Sequence, residues 1–117
     1  MDLLWVENHP QFTRFARPFL VDYAVTVVPS LAAARAALGQ ARFDVVLVDF
    51  DLDDGKGSEL VRELVAVPGR PLIVATSSHA DGNSALLHAG ADAICGKPEF
   101  HRLPGLLRSL IKPHGTA

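Results

Sequence analysis

The sequence predicts one doubly wound α/β domain over residues 1–117, in which helices cover both faces of a five-stranded parallel sheet. Three observations support this prediction. Short, continuously apolar runs alternate with segments of helical periodicity along the chain. The length of 117 residues fits one domain and is sufficient to bury a core. Polar residues follow the apolar runs directly, as expected where parallel strands end at a ligand-binding edge.

Five segments have the composition of strands. The run Val45-Val46-Leu47-Val48 is the most hydrophobic of them, and we expect it to be central and buried on both faces. Pro71 precedes the fourth segment, which is a position where a strand can begin. The predicted strands are residues 3–6, 23–28, 45–48, 72–75 and 91–95.

Helical segments separate these strands. Pro18 lies inside the first of them, residues 11–20, and predicts a kinked or short helix. Ser30 is expected to cap the second helix, which stops at Gly39, and Ser58 is expected to cap the third. The fourth helix follows a polar loop over residues 76–83 and ends near Gly90, and the last spans residues 104–111 before a short tail of residues 112–117.

Composition narrows the class of protein. Hydrophobic residues make up 49% and charged residues 21%, which is an ordinary globular balance. The net charge of −2 and the absence of a basic run argue against direct nucleic-acid binding. No apolar run is long enough to cross a bilayer, and Asp2 stands where a signal peptide would be positive. The single cysteine, Cys95, excludes an intrachain disulfide, so we expect a cytoplasmic protein without membrane contact.

Polar side chains of four chemical types follow the predicted strands at their carboxyl ends. Ligands bind at this edge in open α/β sheets, so segments that are distant in sequence are expected to form one pocket there. The pocket would contain carboxylates, an amide, a hydroxyl and an ammonium. The candidate residues are Glu7, Asn8, Asp49, Asp51, Thr76 and Lys97.

The chemistry of this pocket follows from its charges. Clustered carboxylates repel one another unless a proton or a cation neutralises them, and an oxygen-rich acidic site suits Mg²⁺. With Mg²⁺ and Lys97 neutralising a phosphoryl group, Asp49 can attack phosphorus and form an aspartyl phosphate. Thr76 can donate a hydrogen bond to a phosphoryl oxygen.

Three motifs resemble the response-regulator receiver domains of bacterial two-component signalling. VVLVDFDLDDG (residues 45–55) is similar to their third strand and acceptor loop, and PLIVAT (71–76) to their fourth strand and its hydroxyl residue. AGADAICGKP (89–98) is similar to their fifth strand and lysine–proline pair. The resemblance implies a flavodoxin-like sheet with strand order 2-1-3-4-5 and a phosphorylation-dependent signalling switch rather than an ordinary enzyme.

The resemblance also implies roles for single residues. Asp49 would accept a phosphoryl group from the phosphohistidine of a sensor histidine kinase or phosphotransfer protein. Thr76 and Lys97 would contact the phosphoryl oxygens. The Lys97–Pro98 bond is often cis in this family, and a cis bond would fit its place in a tight turn. The surface built by the fourth helix, fifth strand and fifth helix would then bind a downstream protein partner or a second copy of the chain.

The implied Mg²⁺ ligands are the side chains of Glu7, Asn8 and Asp49 and the backbone carbonyl of Asp51. The family usually has a second acid where Asn8 stands. An amide oxygen brings no charge, so we expect weaker Mg²⁺ binding. A second departure is Ile94, which replaces the aromatic residue that commonly swings inward when the hydroxyl residue engages the phosphate.

Two other functions remain open at this stage. Asn8 and Ile94 both suggest a degenerate receiver that binds a protein partner without phosphorylation. The spacing Asp49-Phe50-Asp51 is also that of small phosphatases and phosphotransferases with an aspartyl nucleophile, although the chain is short for the cap that such enzymes carry. The five histidines show no paired metal spacing and are predicted to be surface or loop residues.

Overall fold

Five parallel strands form the central sheet of the computed structural model, which describes residues 1–111. In chain order the strands are β1 (Asp2–Val6), β2 (Ala24–Val28), β3 (Val45–Val48), β4 (Asp51–Leu52), β5 (Gly55–Lys56), β6 (Leu72–Ala75) and β7 (Ala93–Ile94). The sheet has the order β2-β1-β3-β6-β7, while β4 and β5 form a separate antiparallel pair. If only the five strands of the central sheet are numbered along the chain, this order is 2-1-3-4-5, as predicted.

Within residues 1–111, four α-helices connect the strands and a fifth follows β7: α1 (Pro10–Ala16), α2 (Leu31–Gln40), α3 (Gly57–Val65), α4 (Ala80–Ala89) and α5 (Leu103–Ile111). The interruption predicted from Pro18 is confirmed, because α1 stops at Ala16 and a 3₁₀ helix continues over Arg17–Leu20. A second 3₁₀ helix, Lys97–Arg102, leads into α5. The predicted tail, residues 112–117, lies outside the described residues.

The sheet separates two hydrophobic cores, as expected for helices on both of its faces. Alternate residues of a strand point to opposite faces, so Leu4 of β1 belongs to the core under α2, α3 and α4 and Trp5 to the core under α1 and α5. Trp5 stacks on Phe100 with ring centroids 5.3 Å apart. All four residues of β3 are fully buried, which confirms its predicted central position.

Three predicted details were wrong. Ser58 does not cap α3, which begins one residue earlier, at Gly57, with Lys56 as its N-cap. The side chain of Glu59 instead accepts a hydrogen bond from the backbone N–H of Lys56. Helix α2 does not stop at Gly39 but runs to Gln40, because a glycine in a helical conformation weakens a helix without ending it. The fifth strand is restricted to Ala93–Ile94 at the edge of the sheet.

Within the part of the chain that is described, no helix is both long enough and apolar enough to span a membrane.

An ion pair joins the segments that precede β6 and β7 at the edge of the sheet. Arg70, before β6, donates two hydrogen bonds of 2.8 Å to the carboxylate of Asp92, before β7. The same carboxylate accepts the backbone N–H of Ile73 at 2.8 Å. The hydrogen bonds from Arg70 lower the pKa of Asp92 most, and the hydrogen bond from the Ile73 backbone lowers it further, so this pKa lies below its ordinary value. Asp92 therefore fixes the first turn of the chain after α4 against the start of β6.

We expect Asp92→Asn to lower the free energy of unfolding at pH 7 by about 1.5–3 kcal/mol, the range for hydrogen bonds to charged groups. Because the folded-state pKa lies below the unfolded one, the stabilisation is complete above the unfolded pKa and is lost as pH falls through the folded pKa. Urea denaturation at several pH values measures this. The control is Glu63→Gln, which breaks the more exposed Arg35–Glu63 pair and is expected to cost less than about 1 kcal/mol. If both variants lose the same free energy of unfolding, the Arg70–Asp92 pair does not stabilise the fold more than the exposed Arg35–Glu63 pair, and this prediction is wrong.

Candidate functional site

The carboxyl ends of the strands bring the predicted site residues to one edge of the sheet. Asp49 N–H donates to Val6 O and Thr76 N–H donates to Val48 O, each at 3.0 Å, so the pairing of β1, β3 and β6 continues one residue past each strand. Lys97 follows β7, and its N–H donates to Ser77 O at 3.3 Å. These backbone contacts fix the starting points of the side chains that form the pocket.

The ammonium of Lys97 bridges two buried carboxylates. Its Nζ lies 2.9 Å from Glu7 Oε2 and 3.3 Å from Asp49 Oδ2. Glu7 is 2% exposed and Asp49 3% exposed. The same ammonium lies 5.1 Å from the centroid of the Phe12 ring, which adds a cation–π contact. Glu7, Asp49 and Lys97 therefore meet as the strand-end pattern predicted.

Glu7 has the most perturbed environment in this cluster. Burial raises the pKa of its carboxyl above the ordinary value, and the charge of Asp49 adds to the increase. Hydrogen bonds from His9 and Lys97 oppose it. Glu7 Oε1 is buried and has no hydrogen-bond partner among residues 1–111. Burial therefore makes a charge on Glu7 costly unless a nearby cation stabilises it.

Asp49 is oriented by its own loop. Its Oδ1 accepts the backbone N–H of Phe50 at 2.8 Å, which leaves Oδ2 facing Lys97. The N–H of Gly57 donates to Phe50 O at 2.7 Å and closes the loop onto the start of α3. A Cβ at Gly57 would lie 2.0 Å from the carbonyl oxygen of Asp49, so this close approach requires glycine.

Two further acids of the loop have structural partners. The Asp51 side chain is 60% exposed and pairs with Lys56 across the β4–β5 turn, which lowers its pKa. Asp54 accepts the N–H groups of Leu31 and Ala32 at 2.8 and 2.9 Å. It thereby caps α2 from the acceptor loop, and these hydrogen bonds lower its pKa. The Asp51 side chain thus points to Lys56, and only its backbone carbonyl remains as the predicted ligand.

Asn8 and Thr76 each bring a polar atom without a partner among the described residues. Asn8 Nδ2 donates to Asp53 Oδ1 at 3.0 Å, and Asn8 Oδ1 is buried and unbonded. Thr76 is fully buried, and its Oγ1 is likewise unbonded. Buried polar atoms rarely remain unpaired, so both are available to a ligand of the pocket.

His9 is the site residue that the sequence analysis missed. Its Nδ1 lies 2.6 Å from Glu7 Oε2 and 3.7 Å from Asp49 Oδ2. The prediction of a surface residue is correct for its 59% exposed side chain but overlooks these contacts. Its place two residues after Glu7 was the available signal, because a chain that turns into a helix there can bring the ring back over the strand end.

The donor set fits a divalent cation. Carboxylate and amide oxygens are the ligands that Mg²⁺ prefers, and Glu7 Oε1 and Asn8 Oδ1 are buried oxygens that lack a partner within the described chain. The ammonium of Lys97 already lies between the carboxylates, at the position where positive charge is needed. Glu7, Asn8 and Asp49 can therefore supply side-chain oxygens to such an ion.

In doubly wound α/β sheets ligands bind at the carboxyl ends of the strands, and here that edge brings together carboxylates, a hydroxyl and a lysine. Residues 3–107 match the family model of the response regulator receiver domain, and the chain belongs to this family. Members of this family are signalling modules that work with histidine kinases and downstream effectors, and they typically bind Mg²⁺.

The chain is 30% identical to the KDP operon transcriptional regulatory protein KdpE of Escherichia coli (strain K12) over 119 residues. The match covers 98% of this chain and 53% of KdpE, so the chain spans about half the length of that relative. A two-component response regulator from Clostridium difficile has a TM-score of 0.85 at 16% identity, with 99% of both chains covered. The phosphorylated cyanobacterial phytochrome response regulator RcpA has a TM-score of 0.81 at 19% identity, covering 95% of this chain and 94% of RcpA. The two structures support the fold.

One expectation from the resemblance was wrong. The Lys97–Pro98 peptide bond is trans, as are the other peptide bonds of the described residues. Pro98 lies in the first turn of the 3₁₀ helix Lys97–Arg102, where proline is tolerated because the N–H of that position has no helical partner.

We expect Gly57→Ala to lower the free energy of unfolding by about 2 kcal/mol or more, because its Cβ meets backbone rather than a movable side chain. The matched control is Gly39→Ala in α2, where a Cβ has open space. That change is expected to stabilise the protein by about 0.5–1 kcal/mol. Thermal or urea unfolding of both variants measures the difference. A neutral Gly57→Ala would show that the loop does not depend on this close approach.

Proposed function

We propose that the protein is a phospho-accepting receiver domain in which Asp49 takes a phosphoryl group from the phosphohistidine of a sensor histidine kinase or phosphotransfer protein. The observation that carries this proposal is the buried Asp49 carboxylate with one oxygen 3.3 Å from Lys97 Nζ. The buried, unpaired hydroxyl of Thr76 supports it, since within the described chain this hydroxyl has no structural partner.

In the proposed reaction an oxygen of Asp49 forms a bond to phosphorus while the bond from phosphorus to the donor imidazole nitrogen breaks. The electron pair of the broken bond stays on that nitrogen. The ammonium of Lys97 then contacts one phosphoryl oxygen, and the Thr76 hydroxyl donates a hydrogen bond to a second phosphoryl oxygen. The residues contribute position and charge rather than acid–base chemistry, as is usual in phosphoryl transfer.

We assign the cation of this site to Mg²⁺, held by the side chains of Glu7, Asn8 and Asp49 and the backbone carbonyl of Asp51. When bound, the cation supplies positive charge to the phosphoryl oxygens. Lys97 is then free to leave Glu7, since the carboxylates no longer depend on its ammonium alone. Because Asn8 brings no charge, this binding is weaker than it would be with a second acid.

We propose that phosphorylation of Asp49 changes the conformation of the loop between β6 and α4. Ser77, next to Thr76, donates its N–H to Asn83 Oδ1 at 2.8 Å, and Asn83 Nδ2 donates to Ser77 O at 3.0 Å. A Thr76 side chain that turns toward a phosphate pulls on this pair and therefore on α4. The neighbouring groove between α4, β7 and α5 contains Ile94, which is 41% exposed. We propose this face as the site for a downstream protein or a second copy.

The direct test is to incubate the purified protein with Mg²⁺ and acetyl phosphate and to measure its intact mass. We expect a phosphate adduct in the wild type and none in Asp49→Asn. Asp51→Asn is the matched control, since it removes a neighbouring acid but keeps the backbone carbonyl, and it is expected to form the adduct. If the wild type forms no adduct at saturating Mg²⁺, the proposal is wrong and a phosphorylation-independent binding module remains.

Replacing Asn8 by aspartate is expected to raise the Mg²⁺ affinity at least about fivefold, because ligand charge is a main determinant of divalent-cation affinity. Without Mg²⁺ the same variant should be less stable, since the amide that now donates to Asp53 becomes a second carboxylate there. Calorimetric titration and melting curves with and without Mg²⁺ measure both effects. If Asn8→Asp binds Mg²⁺ with the same affinity as the wild type, the side chain at position 8 is not a ligand of the cation.

A further inference from the structure

His9 lies over the two buried carboxylates at the mouth of the pocket. It is the N-cap of α1, and its backbone N–H donates to Glu7 Oε2 at 3.2 Å. Its ring nitrogen Nδ1 lies 2.6 Å from the same oxygen. The backbone and the ring therefore both turn toward Glu7, although the side chain is mostly exposed.

One nitrogen and two carboxylates converge at a single point. A ligand atom from each of Glu7, His9 and Asp49 lies within 4.8 Å of the other two. The ammonium of Lys97 lies close to all three, at 2.9 Å from Glu7 Oε2, 3.2 Å from His9 Nδ1 and 3.3 Å from Asp49 Oδ2. The ammonium thus occupies the position that a cation with these three ligands would take.

An independent observation also points to a cation. Glu7 is 2% exposed, and its Oε1 has no partner among the described residues. This oxygen shares its carboxylate with Oε2, so it lies at the same cluster. Two buried carboxylates face one ammonium. A divalent cation bound here would balance the charge of the carboxylates and would give Glu7 Oε1 a partner.

We propose that His9 Nδ1 is a direct ligand when the cation site holds a borderline transition cation such as Zn²⁺, so that the site we assign to Mg²⁺ also takes Zn²⁺. Imidazole nitrogen is a good ligand for zinc, whereas Mg²⁺ favours oxygen ligands. The bound form of His9 carries its proton on Nε2. The inference rests on the proposed cation site and adds a nitrogen ligand to its oxygen ligands.

Isothermal titration of the intact chain with Zn²⁺ and, separately, with Mg²⁺ tests the proposal without any phosphodonor. We expect His9→Ala to lose at least about tenfold in Zn²⁺ affinity, a loss as large as those seen when supporting groups of a metal site are removed. Its Mg²⁺ affinity should change less than about twofold. His88→Ala is the control for adventitious binding to an exposed histidine, and it should match the wild type with both ions.

Nitrogen NMR of the imidazole rings supplies a second readout. Zn²⁺ should shift the Nδ1 resonance of His9 and leave that of His88 unchanged. The proposal is overturned if His9→Ala binds Zn²⁺ like the wild type. It is equally overturned if both ions lose affinity by the same factor, since His9 would then only position Glu7. Because no phosphoryl transfer is measured, a failure here is distinct from a failure of Asp49 to form an adduct.

Discussion

The pocket depends on one interaction, the ammonium of Lys97 shared by the buried carboxylates of Glu7 and Asp49. Neither carboxylate is exposed enough for water to stabilise its charge, and breaking a buried pair by removing one partner typically costs about 3–5 kcal/mol. Lys97 reaches this position because β7 is parallel to β6 and ends at the same edge of the sheet. The contact joins residues 90 positions apart, so the pocket exists only in the folded domain.

The loop that follows Asp49 is held in place by contacts with α2 and α3. Asp54 connects the loop to the start of α2, and Gly57 allows α3 to approach Asp49 closely. Together they leave little freedom around Asp49. Thr76, in contrast, has a hydroxyl without a partner in residues 1–111 and adjoins the Ser77–Asn83 pair. This asymmetry supports the proposal that a change of charge at Asp49 acts mainly on the loop before α4.

The parts of the molecule that were predictable from sequence are those that depend on strand direction. Parallel strands must end at a common edge, so the meeting of Glu7, Asp49 and Lys97 followed from their positions after apolar runs. The contacts of His9 and Asp54 did not, because each depends on the local direction of the backbone. Asp54 caps a helix that begins 23 residues earlier in the chain, and no spacing rule connects them. Ser58 was misassigned for a similar reason, since the approach of Gly57 to Asp49 sets the start of α3.

We propose that Lys97 serves as the positive charge of a pocket that binds a cation and a phosphoryl group. A crystal structure with Mg²⁺ and beryllium fluoride, an analogue of the phosphoryl group, tests it most directly. We expect beryllium to be bonded to an oxygen of Asp49, fluorine atoms to contact Thr76 Oγ1 and Lys97 Nζ, and the cation to be bound by Glu7 and Asp49. A structure in which Lys97 still bridges Glu7 and Asp49, with the cation or the fluoride bound elsewhere, would contradict it.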